Sequence, residues 1–340
     1  MVASLYGVAE EQKAIWICLE QESGKLEGVS LELLAKGRQL ADRVGWQLTG
    51  LLMGNSIADL AQEAIGHGAD EVVLAEHPLL DTFTVDAYCH VAFEAIMRYK
   101  PSVFLLGVTP DSRDLAGRLA VRLRTGLNAD CTDLRLAPES GILAGEVSGF
   151  GGGVLALIEM QNHRPQMATV RPGVFPPGRA DPKRQGRVIR LPVNLSEAMI
   201  NTRVGARVVG ARTDLTQAAA LVVGGRGVGG QFGMLRELAD LIGGDIGATR
   251  PPVDEGYIER ERQIGQTGVI CRPKVAIVCG ASGAFHFVVG IQGADVVVAI
   301  NSDPAAPIFD FADYCIVGDA FSIVPALTAA LRATHEVSHA

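Results

Sequence analysis

The feature that most constrains this chain is a unit that recurs between residues 221 and 319. In each copy a short apolar run meets a Gly-rich or polar turn. The copies read LVVGGRGVGG (221–230), GATRPPVD (247–254), RQIGQTG (262–268), CGASGAF (279–285) and AINSDPAAPIFDFADYCIVGD (299–319). An open α/β sheet uses such turns, at the carboxyl ends of its strands, to offer backbone N–H groups to a phosphate-bearing ligand. The 48% hydrophobic content, 5% aromatic content and 40 Gly of the 340 residues suit parallel strands buried on both faces.

This length predicts one or two domains. The net charge of −8 argues against a general nucleic-acid binder. The six Cys form no CxxC pair, and buried thiols of a reducing compartment are expected. The seven His lack metal-ligand spacing, so no metal is expected. The opening MVASLYGVAEEQ resembles neither a signal nor a transit peptide, and no apolar run is long enough to span a bilayer. A soluble cytoplasmic protein is the expectation.

In chain order, strands are predicted at 13–20, 46–53, 71–76 and 102–108. Helices are predicted at 29–44, 57–65 and 83–99, alternating with those strands, so a parallel sheet with helices on both faces is expected. Asp111 or Ser112 is a candidate cap for the next helix. Arg113 is read as pairing with carboxylates rather than binding a ligand. Residues 128–171 read as β-rich, with Gly151 to Gly153 a structural turn. PGVFPPGRADPKRQGR (172–187) is the best linker candidate, leading to a crossover strand RVIRLPV. An N-terminal α/β domain over 1–200 and a doubly wound domain over 205–335 are expected. In the second, strands are read at VVGAR, ALVVGG, DIGATR, VAIVCG, VVVAIN and YCIVGD, and helices at 230–243, 283–291 and 322–333.

Gly225, Gly227 and Gly230 fit GxGxxG between a strand and a helix. Arg226 projects from that turn, and no acidic residue ends the next strand, which weakens an ordinary nicotinamide reading. Arg250 precedes two prolines that disfavour helix there; a guanidinium on a stiff turn suits an anion. Pairing of Arg250 with Asp254 or Glu255 is the rival. Gln266 and Thr267 lie in a Gly-flanked loop able to hydrogen-bond a heteroaromatic ring. Ser282 and Gly283 are a candidate pyrophosphate seat, with a plain helix cap as the rival for Ser282. His286 is equally a structural histidine or a cofactor contact. Asn301 and Asp319 end strands where ribose and adenine are commonly held, with Asp319 as a plain helix cap the alternative. No hydrolytic triad or carboxylate pair is evident, so the chemistry would be the cofactor's.

Those motifs, together with DSRDLAGRLAVRLRTGLNADCTDL (111–134) and RPQMATVRPGVF (164–175), closely resemble the alpha subunit of electron transfer flavoprotein over nearly the whole length. The resemblance implies an N-terminal α/β domain and a C-terminal domain holding FAD in a cleft that a beta subunit helps to close. It further implies electron transport from acyl-CoA dehydrogenases of fatty acid beta-oxidation, or other dehydrogenases, to a quinone oxidoreductase. Carried over by position, Arg226, flanked by Gly225 and Gly227, meets the phosphates. Thr249 keeps a hydroxyl where Ser is usual. Arg250 lies on the flavin ring and Thr267 reaches its N5 edge, both tuning it, with Ile264, Gly265 and Gln266 lining the loop. Ser282 and Gly283, followed by Ala284 and Phe285, take the pyrophosphate region. Asn301 and Asp319, with Ala320, take the adenosine end.

The family's usual SGAIQH reads SGAFHF here, so His286 stands at the Gln position and Phe287 at the His position. A Phe cannot donate to the flavin, which implies the loss of one charge-assisted bond, roughly 1.5–3 kcal/mol, unless His286 replaces it. Two variants on this reading are an electron-bifurcating member, using NADH and a second FAD in the beta subunit, and a non-redox nucleotide-binding scaffold.

Overall fold

The computed structural model describes residues 5–22, 24–149, 154–205 and 215–338. The Gly151–Gly153 turn and the VVGAR strand lie outside them. The chain divides into two compact units, Met1–Arg207 and Val208–Ala340.

In the first unit, β1 (Gln12–Leu19) leads through a small hairpin, β2 (Gln21–Glu22) and β3 (Lys25–Leu26), into α1 (Gly28–Val44). Then follow β4 (Gln47–Gly54), α2 (Leu60–Gly66), β5 (Glu71–Glu76), α3 (Val85–Tyr99), β6 (Pro101–Gly107) and α4 (Pro110–Leu123). The apolar runs KAIWICL, LTGLLMG and PSVFLLG are each buried on both faces, which is why they form central parallel strands. The remaining strands are β7 (Leu127–Cys131), β8 (Asp133–Leu136), β9 (Leu143–Gly149), β10 (Val154–Glu159), β11 (Gln166–Val170) and β12 (Arg187–Arg190). A parallel sheet of order β12-β5-β4-β1-β6-β11-β7 results, with α1 and α2 over one core and α3 and α4 over the other. Strands β8, β9 and β10 form a separate antiparallel sheet.

Two expectations are corrected here. The cap of α4 is Thr109, whose hydroxyl accepts from the Ser112 N–H at 3.1 Å, rather than Asp111 or Ser112. Pro110 at the first helical position, where its missing N–H costs nothing, was the signal. The expected strand in RVIRLPV forms as β12, which pairs in parallel with β5 at the edge of the first sheet. The Pro- and Gly-rich stretch before it is tied down, because the Asp181 N–H donates to Gly66 O at 2.8 Å and Arg184 pairs with Asp70 at 2.7 Å.

In the second unit, β13 (Ala220–Gly224) is followed by α5 (Phe232–Leu241), β14 (Asp245–Ala248), α6 (Arg250–Asp254), β15 (Val275–Cys279), α7 (Phe285–Val288), β16 (Val296–Asn301), β17 (Tyr314–Val317) and α8 (Ala320–Ser338). All pairings are parallel, in the order β14-β13-β15-β16-β17. This is the doubly wound order whose switch point lies between the first and third strands. Helices α5 and α8 cover one face, around Leu235, Leu238 and Val324. The helix expected over 283–291 is only the four-residue α7. Its start is displaced because the Ile308 N–H donates to Ser282 O at 3.0 Å, holding Ser282 and Gly283 as a turn. Among the described residues, no helix is long and apolar enough to cross a membrane.

Candidate functional site

At the switch point of the second unit, the carboxyl ends of β13, β14, β15 and β16 open into a cavity of about 630 Å³. That lies within the ordinary range of small-molecule sites, roughly 300–1,000 Å³. Its floor is backbone. The Gly225 N–H donates to Cys279 O at 2.8 Å and the Gly227 N–H to Gly280 O at 2.9 Å. A Cβ on Gly225 would lie 2.4 Å from Ala281 Cα, and one on Gly283 (φ +85) 2.3 Å from Ile308 N. The turns after β13 and β15 therefore touch main chain to main chain, and only Gly permits it.

The structure brings together Arg226, Gly227, Thr249, Arg250, Ile264, Gly265, Thr267, Ser282, Gly283, Ala284, His286, Phe287 and Asn301 around this cavity. Gly225 lies beneath it as packing. Gln266 stands behind His286, with its Oε1 2.5 Å from His286 Nδ1. Phe285 is exposed and is not part of the lining, nor are Asp319 and Ala320. Asp319 Oδ1 accepts from the Phe321 N–H at 3.1 Å and its carbonyl from the Ser322 and Ile323 N–H groups, so it starts α8. Ser282 is not the cap of α7, which begins three residues later.

The sequence reading did not single out Pro251, Gln263, Gly280, Ala281, Asp303, Ala306 and Pro307, which also line the cavity. Asp303 and Pro307 reach it through a turn fixed by Asn301, whose Oδ1 accepts from the Asp303 N–H at 3.0 Å. Asn301 Nδ2 donates to Ala281 O at 2.9 Å, which ties the ends of β15 and β16 together.

Arg250 departs from its expected conformation. It is the first residue of α6, with Thr249 in the N-cap position and the two prolines following. Proline is tolerated in a first turn, and the helix is short enough that Pro251 and Pro252 cost it no essential bond. Arg250 Nε lies 2.9 Å from Asp254 Oδ2, and both side chains are exposed. An exposed i,i+4 pair of this kind contributes only about 0.3–0.5 kcal/mol, so it holds the guanidinium without spending it. Arg226 is exposed and has no side-chain partner among the described residues. Among the described residues that line the cavity, Asp303 is the one carboxylate. The Cys279 thiol beneath the floor is fully buried, and burial pushes it up to about 12, so it is no nucleophile at neutral pH. Among the described residues, no group of three His, Cys, Asp or Glu could hold a metal ion.

The arrangement suits an elongated anion with an aromatic head. Backbone N–H groups and Arg226 sit at the Gly turns, while Arg250, Thr267 and His286 stand on the other walls. Comparison with known proteins gives the family. Residues 15–196 match the electron transfer flavoprotein domain, and residues 214–292 the electron transfer flavoprotein FAD-binding domain. The chain is 43% identical over 321 residues to the electron transfer flavoprotein subunit alpha of Thermoanaerobacterium thermosaccharolyticum, covering 93% of this chain and 97% of that one. It is 40% identical over 332 residues to the same subunit of Clostridium acetobutylicum, covering 96% and 98%. It is 42% identical over 329 residues to Protein FixB of Azorhizobium caulinodans, covering 94% and 89%. The chain belongs to the electron transfer flavoprotein alpha subunit family.

Proposed function

We propose that this chain is the FAD-holding alpha subunit of a heterodimeric, cytoplasmic electron carrier. It takes electrons from dehydrogenases of the acyl-CoA or a similar type and passes them to a quinone oxidoreductase or another acceptor. The observation that carries this reading is the switch-point cavity, where Gly-only backbone contacts, two guanidiniums and a polar loop line one space. The residues fit the cofactor: Arg226 beside Gly225 and Gly227 would meet the phosphates, with Ser282 and Gly283 across from it. Arg250, Thr267 and His286 would face the ring, and Asn301 the adenosine side. When bound, FAD supplies the capacity to accept and release electrons. The chain's own part is to seat the anion, exclude water from one face and fix the direction of each hydrogen bond.

The partner is a beta subunit. Strand β10 supports this, since it edges its antiparallel sheet and leaves Leu155 63%, Leu157 58% and Ile158 41% exposed. An apolar edge strand left open invites pairing and aggregation unless something covers it.

The test is co-expression with the neighbouring-gene partner, desalting, and the visible spectrum. A flavin spectrum at one FAD per heterodimer, removed by Gly283→Val, is expected. A well-assembled heterodimer that stays colourless after incubation with FAD would overturn the reading.

A further inference from the structure

Two polar groups of the cavity have their proton directions set from behind, each by a glutamine. The loop that carries them closes on itself. The Val269 N–H donates to Gln263 O at 2.7 Å and the Gly268 N–H to Gly265 O at 3.0 Å. The loop is also fastened to α7, because the Gln266 N–H donates to His286 O at 2.6 Å. Gly265 (φ +133) and Gly268 allow this closeness; a Cβ on them would lie 2.5 Å from His286 O and 2.1 Å from Gln263 O. These bonds fix the loop, from which Gln263 and Thr267 line the cavity.

Gln263 is only 5% exposed, and its Nε2 donates to Thr267 Oγ1 at 2.9 Å. An amide nitrogen cannot accept, so the hydroxyl receives that bond and keeps its own proton for the cavity. His286 shows the opposite polarity. Its Nδ1 is 2.5 Å from Gln266 Oε1. An amide oxygen cannot donate, so Nδ1 carries the proton, and Nε2 of the neutral imidazole keeps a lone pair. The neighbouring Phe287 is 5% exposed and packs with Ile264, Ile291 and Ile308, so it offers no competing polar atom.

We propose that Gln263 and Gln266 are positioning residues that give Thr267 and His286 opposite hydrogen-bond polarity, a donor and an acceptor on one cavity. The ligand class this selects is a heteroaromatic cyclic imide, whose ring N–H is flanked by acceptor atoms. Thr267 donates to an acceptor of the ring and His286 accepts from its N–H. The inference rests on the flavin reading for the identity of the ring, but not for the tautomer of His286.

The first experiment needs no cofactor. In the full-length chain labelled with 15N-histidine at pH 8, long-range 1H–15N correlation reports which ring nitrogen of His286 is protonated. The expected result is Nδ1–H, kept in Gln266→Glu and lost in Gln266→Leu. Nε2–H in the unaltered chain, which a reversed Gln266 amide would produce, overturns the proposal. The second experiment titrates FAD into the flavin-free heterodimer. Gln266→Leu and Gln263→Leu should each weaken binding about tenfold, the size of one hydrogen bond. Thr267→Val should do the same, and Gln263→Leu combined with Thr267→Val should be no worse than either alone. Unchanged affinity in the Leu variants, with thermal melting preserved, overturns the positioning roles. Failure of the unaltered heterodimer to bind FAD overturns the cofactor and the ligand class together, whatever the tautomer.

Discussion

At the scale of single residues, the cavity separates groups that build it from groups that serve a ligand. Gly283 builds it: its φ of +85 and the 2.3 Å approach of Ile308 N leave no room for a methyl group. Gly283→Ala should lose at least about 1–3 kcal/mol of stability, read as a lower urea midpoint. Arg226 builds nothing there: it is exposed and partnerless among the described residues. Arg226→Ala should therefore change stability by no more than about 0.5 kcal/mol. Its FAD affinity should fall by roughly 1.5–3 kcal/mol, the worth of a charged hydrogen bond, read by fluorescence titration. A third residue belongs to the first unit. The Glu20 carboxyl, whose Oε1 is buried without a partner, is held above its ordinary value. Burial is the main cause; bonds from Thr109 and Ser112 oppose it, and the charges of Glu27 and Asp111 add to it. A raised acid contributes stability below its unfolded pKa, near 4.3, that is lost as pH rises through the folded value. Glu20→Gln should thus gain stability at pH 8 relative to the unaltered chain and gain none at pH 4, by denaturant midpoints at the two values.

At the scale of elements, patterns with a local cause were legible and those with a distant cause were not. The unbroken apolar runs of β1, β4, β6, β13, β15 and β16 needed no tertiary information, because two-sided burial is written in the run itself. Helix α7 is four residues where nine were expected, since Ile308, distant in sequence, claims the carbonyl of Ser282. Helix α8 extends over Ala320–Ser338 where 322–333 was expected, and it keeps Pro325 within its first turns. Asp319 starts it, and the adenosine role expected of that residue finds no support in the cavity lining. Strand β10 carries a prediction of its own. Leu157→Lys adds charge at a position already 58% exposed, so the isolated chain should melt as before. Heterodimer formation, followed by size-exclusion chromatography, should weaken. Unaltered assembly would move the partner surface elsewhere.

At the scale of the whole molecule, each unit has its own parallel sheet and its own pair of cores, so a ligand in one should be felt there first. A ligand that binds the folded state at 100 times its Kd stabilises by about 2.7 kcal/mol. Hydrogen exchange with and without FAD should show added protection across β13 to β16, and none in β1, β4 and β6. Equal protection of both units would mean that they open together.

The order of strands and helices, the parallel sheets and the Gly-rich turns at the strand ends were determined by sequence alone. Each follows from a run of residues acting on its immediate neighbours: an apolar stretch too buried to be antiparallel, or a glycine where a side chain cannot go. The tertiary structure decided which side chains share the cavity. Gln263 enters it from one loop and Asp303 and Pro307 from another, and no period or spacing links the two. It also decided direction. That Phe287 is packed into the core at the cavity wall while His286 stands exposed there, paired with Gln266, depends on how two segments some twenty residues apart are pressed together. Such polarity is a property of packed pairs, and it arises only when the chain has closed.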